Sequence, residues 1–113
     1  MKRILVVDDE PVVRALAEES LRRGDWSVQS AGDAAAALAA IRRERPDLIL
    51  LDLGLPGTSG AELARRLRED ERTRTIPIVY MTGLRPADCE GADGVVTKPF
   101  TPERLRAYAS NWL

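Results

Sequence analysis

Short apolar runs alternate with segments of helical rhythm along the chain, and this alternation restricts the fold more than any other feature. Ile4–Val7 is a continuous apolar run, as expected of a strand buried on both faces. Pro11 then opens a predicted helix, at a position where its missing N–H costs little. Val13, Leu16, Ala17, Ser20 and Leu21 share one face of that helix, and Gly24 is its expected stop. Trp26, Val28 and Ser30 alternate with polar residues and predict a weaker second strand. Asp33 is placed to cap a second helix with Ala34, Ala37, Leu38 and Ile41 on one face, and Pro46 ends it. Leu48–Leu51 predicts a central third strand. Ser59 and Glu62 have capping-box spacing, with Gly60, Leu63, Ala64 and Leu67 following at helical intervals. Ile76–Met81 and Gly94–Thr97 predict two more strands. Thr101-Pro102 opens a last helix, with Leu105, Tyr108, Ala109, Trp112 and Leu113 as its apolar face, expected to run to the final residue.

Strands alternating with helices build a parallel sheet with right-handed crossovers and helices on both faces. The expectation is one α/β domain over residues 1–113. Ligands of such sheets bind at the carboxyl ends of the strands. Asp8, Asp9 and Glu10 follow the first apolar run, Asp52 the third, Thr82 the fourth, and Lys98 the fifth strand. Carboxylates gathered there repel one another and call for positive charge. Mg²⁺ suits them, because it takes oxygen ligands from one or two carboxylates, waters and phosphate oxygens. Asp52 could also act as a nucleophile that carries an acyl-phosphate, with Lys98 and Thr82 steadying the transferred group.

Composition removes several alternatives. Seventeen Lys and Arg stand against 18 Asp and Glu, a net charge of −1, which argues against nucleic-acid binding by this chain. Arg65, Arg66 and Arg68 are interleaved with Glu62, Glu69 and Asp70 and read as a solvated helix face. With no histidine and a single cysteine, Cys89, the chain has neither a Cys/His metal set nor a histidine-dependent catalytic group, nor an internal disulfide. No apolar stretch approaches the ~18 residues of a membrane span, and no leader pattern follows Met1. A cytoplasmic protein with no membrane partner is the expectation.

Four stretches, "ILVVDDEPVVR", "LILLDLGLPGTSG", "IVYMTG" and "VVTKPF", together resemble the response-regulator receiver domains of two-component signalling, over essentially the whole chain. The resemblance implies a flavodoxin-like sheet of strand order 2-1-3-4-5. It implies that Asp52 accepts a phosphoryl group from a histidine kinase or phosphotransfer protein. Mg²⁺ would be held by Asp8, Asp9, Asp52 and the carbonyl of Gly54. Thr82, Gly83 and Lys98 would bind the phosphoryl oxygens, Thr82 and Val95 would form the switch, and Lys98-Pro99 would be cis. The domain would be no enzyme beyond its own phosphorylation and dephosphorylation. It would act as a switch on a downstream protein effector, with a monomer favoured.

Three departures from the family pattern stand out. Val95 occupies a position where the family usually has an aromatic residue. Gly54 and Leu84 offer no polar side chain to orient a hydrolytic water, so the phosphoryl group is expected to be lost slowly. The segment from Thr82 to Val95 is short and rich in glycine, leaving room for one or two helical turns after Pro86. Leu84, Ala87, Cys89 and Ala92 are its only candidates for covering the sheet. Either a compact loop closes over the gap or the output face is rebuilt. Competing readings are an aspartate-nucleophile phosphatase, a pseudo-receiver interaction domain, and the receiver half of a larger regulator.

Overall fold

The computed structural model describes residues 1–83 and 92–113. Five strands form one parallel sheet in the order β2-β1-β3-β4-β5. They are β1 (Lys2–Val7), β2 (Trp26–Ala31), β3 (Leu48–Asp52), β4 (Ile78–Thr82) and β5 (Gly94–Thr97). The helices among the described residues are α1 (Pro11–Arg22), α2 (Ala34–Arg43), α3 (Gly60–Glu69) and α4 (Pro102–Ser110). The resemblance's strand order is thus the observed one.

Continuous apolar runs follow from the double winding. Alternate residues of a strand face opposite sides of the sheet, and here each side has its own helical layer. Leu5, Val7, Ile49, Leu51, Ile78 and Tyr80 pack with the buried faces of α2 and α3. Ile4, Val6, Leu48, Leu50, Val79 and Met81 pack on the other side with residues of α1 and α4. Both registers of each run are apolar because both are buried.

Local chemistry sets the helix starts. The Asp33 carboxylate accepts from the Ala36 N–H at 2.8 Å, the Ser59 hydroxyl from Glu62 N–H at 3.2 Å, and the Thr101 hydroxyl from Arg104 N–H at 3.1 Å. The expected capping box at Ser59 gains one of its two bonds from the side chain of Ser59. The Glu62 carboxylate turns outward to Arg65 and Arg66.

Several boundaries differ from expectation, each for a local reason. Leu16 is 41% exposed, so the buried stripe of α1 narrows to Ala17, Ser20 and Leu21, with Val13 at its margin. Buried Ser20 donates its hydroxyl back to the Leu16 carbonyl at 2.6 Å. α1 stops at Arg22, and Gly24 lies two residues beyond, close under the Trp26 ring, where a Cβ would come within 2.8 Å. β4 starts at Ile78, because Pro77 has no N–H and contributes only its carbonyl, to Ile49 N–H at 3.0 Å. α4 ends at Ser110, yet Trp112 and Leu113 still pack against the core. The expected short helix after Pro86, with Leu84, Ala87 and Cys89, falls outside the described residues. Ala92, beyond it, packs against the cluster under α2 and α3, as expected. Among the described residues, no helix is long and apolar enough to cross a membrane.

Candidate functional site

Parallel pairing brings the carboxyl ends of β1, β3 and β4 side by side: Val7 is in register with Leu51, and Asp52 with Met81. The residues just past these ends are therefore neighbours although far apart in sequence. Asp8, Asp9 and Asp52 each present a carboxylate oxygen, and these lie within 4.8 Å of one another. Asp8 is fully buried, Asp52 is 7% exposed, and Asp9 is open to solvent.

One ammonium links two of the three carboxylates. Lys98 Nζ donates to Asp8 Oδ2 at 2.7 Å and approaches Asp52 Oδ1 at 3.4 Å. Its backbone continues the β4–β5 pairing, with Lys98 N–H donating to the Thr82 carbonyl at 2.9 Å, and the Lys98-Pro99 bond is cis, as expected. Asp8 is fixed from several sides. Its Oδ1 accepts from Glu10 N–H at 2.9 Å, its carbonyl accepts from the Arg14 guanidinium at 2.9 Å, and its N–H donates to Ala31 at 3.1 Å.

The two titrations oppose each other. Burial pushes the Asp52 carboxyl above the ordinary carboxylate range, and neighbouring Asp8 adds to this. The Gly54 N–H, donating to Oδ1 at 3.3 Å, and the charge of Lys98 offset only part of it. For Lys98, burial works to lower the pKa, but hydrogen bonding to Asp8 and the charges of Asp8 and Asp52 outweigh it and hold the ammonium above its usual value. A base whose pKa is raised by folding stabilises the fold below its unfolded pKa, and that contribution is lost as pH rises through the folded value. Lys98→Met keeps the apolar stem and removes the charge. Without divalent cation it is expected to unfold roughly 2 kcal/mol more easily than wild type at neutral pH, because carboxylates are left unpaired. The gap should narrow above the ordinary lysine pKa of 10.5. Urea midpoints of both proteins from pH 8 upward measure it, and a gap independent of pH would refute the electrostatic account.

The other expected residues surround this group. Thr82 ends β4, only 4% exposed, opposite Thr97 of β5. Gly83 follows it and is exposed, with no described residue within 4 Å of where a Cβ would stand. Gly54 lies beside Asp52: a Cβ there would be 3.8 and 3.9 Å from the two carboxylate oxygens. Val95 pairs with Tyr80 across the β4–β5 ladder and is half-buried against the α2/α3 side. Leu84, expected with Gly54 to leave a hydrolytic water unoriented, falls outside the described residues.

The motifs did not reveal four contributors. Glu10 supplies its N–H to Asp8, a turn that an Asp two residues upstream can signal. Arg14 was visible as the last letter of "ILVVDDEPVVR", but its bond to the Asp8 carbonyl needs the folded turn. Gly60 is read as an ordinary helix residue. Yet a Cβ there would lie 2.2 Å from the Asp52 carbonyl oxygen and 2.8 Å from Leu53 Cα. Tyr108 accepts from Val95 N–H at 3.0 Å through its hydroxyl, closing the outer edge of β5.

An all-oxygen donor set of three converging carboxylates, one fully buried, matches the preference of Mg²⁺. The model of the response regulator receiver domain matches residues 4–110. The chain is 45% identical over 112 residues to the phosphate regulon transcriptional regulatory protein PhoB of Pseudomonas aeruginosa, covering 94% of this chain and 49% of that protein. It is 41% identical over 116 residues to the DNA-binding response regulator MtrA of Mycolicibacterium smegmatis, covering 94% and 48%. It spans about half the length of the curated relatives it matches. Among solved structures, the chemotaxis protein CheY4 of Vibrio cholerae superimposes with a TM-score of 0.93 at 29% identity, covering 100% of this chain and 99% of that one. The receiver domain of NtrX from Brucella abortus gives 0.87 at 32% identity, covering 97% of each.

Proposed function

The chain belongs to the response regulator receiver family, a family of two-component signalling domains rather than classical enzymes, and from that premise we propose that Asp52 is its phosphoacceptor. One observation carries the proposal. Lys98 bridges Asp8 and Asp52 while Asp9 completes the carboxylate group, so a phosphoryl group on Asp52 would lie beside an ammonium already directed at it.

In the proposed reaction, a carboxylate oxygen of Asp52 forms the new bond to phosphorus. The bond from phosphorus to an imidazole nitrogen of the donor histidine breaks, and the imidazole leaves with the electron pair. Mg²⁺, held by Asp8, Asp9, Asp52 and the Gly54 carbonyl, would neutralise charge on the phosphoryl oxygens. The chain's own residues do the rest. Lys98 exchanges Asp52 for a phosphoryl oxygen, and the Thr82 hydroxyl and Gly83 N–H donate to the others. A phosphoryl group brings about two negative charges. Thr82 would be drawn toward it, and because its carbonyl is bonded to Lys98 N–H, β4 and β5 would shift together. Val95, half-buried and lacking an aromatic ring, would follow as a small adjustment. Phosphorylation thereby favours one of two conformations that a downstream protein distinguishes. A cytoplasmic location and a histidine kinase or phosphotransfer donor go with this reading.

A second reading places the same switch in a longer regulator, favoured by the half-length match to the relatives. DNA binding is in the name of one of those relatives. The charge balance of this chain, −1, supports a switching role rather than a DNA contact for the part seen here.

Intact-mass measurement after incubation with acetyl phosphate and Mg²⁺ tests the proposal. One phosphoryl adduct is expected, and chelation with EDTA should prevent it. No adduct under these conditions would sink the phosphoacceptor role and leave a pseudo-receiver.

A further inference from the structure

Between α2 and α3 lies an open groove of about 860 Å³. Its floor is apolar: Ile41 and Leu67 are buried, and Leu38 stays half-exposed. Four exposed guanidinium groups stand around that floor. Arg42 and Arg66 come from the last turns of α2 and α3, and Arg45 and Arg72 from just beyond each helix. Asp70, the one carboxylate in the lining, is taken by Arg72 at 3.3 Å. Arg45 is anchored to the Arg72 carbonyl at 3.2 Å and the Thr75 hydroxyl at 2.9 Å. Arg42 makes no hydrogen bond or ion pair within 4 Å among the described residues, its charge reaching Asp70 only at longer range, and Arg66 pairs with Glu62 at 3.4 Å. Arginine in a last helical turn also complements the helix dipole. That accounts for Arg42 and Arg66 but neither for Arg45 and Arg72 nor for an apolar floor between them.

We propose that this groove docks an acidic amphipathic helix of a partner protein. Leu38, Ile41 and Arg42 span just over one turn of α2, about 6 Å, and Arg45 stands beyond its last residue, so the groove takes a short helix. Apolar anchors at i, i+3 and i+7 would cover Leu38, Ile41 and Leu67, and flanking carboxylates would meet the arginines, which favour forked pairing with carboxylate. Placement adds selectivity. The helix C-termini lie at the edge of the sheet opposite Asp8, Asp9 and Asp52, so an acidic helix is attracted here and repelled there. The partner would be held without covering the phosphoryl site.

The test uses the full chain and a labelled synthetic helix of about sixteen residues, with leucine at those intervals and glutamate elsewhere, read by fluorescence anisotropy. Micromolar binding that weakens with salt is expected. The double variant Arg42→Glu/Arg66→Glu should weaken it at least tenfold, as should Leu38→Glu, with circular dichroism confirming that each variant is folded. Asp52→Asn should bind as wild type does, which separates this proposal from the phosphoacceptor reading. Equal affinity in the double variant would overturn the proposal. So would equally tight binding of a peptide with serine for leucine, which would mean diffuse attraction of any polyanion. Binding to phosphatidylglycerol vesicles but not to the peptide would reassign the groove to a membrane. Self-association lost in the double variant, without peptide binding, would reassign it to a second copy of the chain.

Discussion

Asp52→Asn is expected to take up no phosphoryl group from acetyl phosphate and Mg²⁺, and without divalent cation to melt a few degrees above wild type. The first result follows from the nucleophile: an amide oxygen has no charge to form a stable acyl-phosphate. The second follows from burial. The folded environment raises the Asp52 pKa, chiefly through desolvation and with help from Asp8. A carboxyl group with a raised folded pKa costs no stability while it is protonated in both states. It destabilises the fold progressively as pH rises from the unfolded value of 3.8 through the folded one. At neutral pH the full penalty applies to wild type and is absent from the isosteric amide, and Lys98 keeps its shorter bond to Asp8. The difference should vanish toward acidic pH and, with the folded trio holding Mg²⁺ as proposed, reverse at saturating Mg²⁺, which would stabilise the wild type by mass action. Thermal unfolding at several pH values, with EDTA or Mg²⁺, measures all of this. An Asn variant less stable than wild type in EDTA would show that the Lys98–Asp52 contact outweighs desolvation. A phosphoryl adduct on the variant would place the acceptor elsewhere.

Gly60→Ala should cost the domain about 3 kcal/mol, although alanine in a helix is worth up to about 1 kcal/mol over glycine. The first turn of α3 is pressed against the loop that leaves β3, and Gly60 N–H donates to the Leu53 carbonyl at 3.3 Å. A Cβ 2.2 Å from the Asp52 carbonyl oxygen meets backbone, which cannot rotate aside as a side chain can. Either α3 retreats and loses part of the packing of Leu63, Ala64 and Leu67, or the backbone of Asp52 shifts. The second outcome also moves the candidate acceptor, so phosphorylation should slow along with the loss of stability. Urea unfolding and adduct formation measured on one preparation separate the two. A midpoint equal to that of wild type would mean that α3 slides outward at no cost.

The motifs named the carboxylates, the hydroxyl and the ammonium that the fold brings to one edge, and the reason is topological. In a parallel sheet the residue after each strand lands at the same edge, so reading past each apolar run finds Asp8, Asp9, Asp52, Thr82 and Lys98 without coordinates. The strand order came from resemblance, since alternation alone allows several windings. Helix starts were legible at Asp33, Ser59 and Thr101, because a cap acts within three residues. Helix ends and edges were less so: Leu16 is exposed, α4 stops at Ser110, and β4 waits for Ile78, all settled by distant packing partners or by a missing N–H.

The sequence by itself determined a doubly wound sheet, the charge of its carboxyl edge and the identity of its candidate acceptor, because these depend on periodicity and on the residues directly after each strand. Only the tertiary structure decided how Lys98 divides itself between Asp8 and Asp52, why position 60 must be glycine, and that four arginines from two helices enclose one apolar floor. Those features arise between segments far apart along the chain, where distance and burial rather than local pattern set the energy.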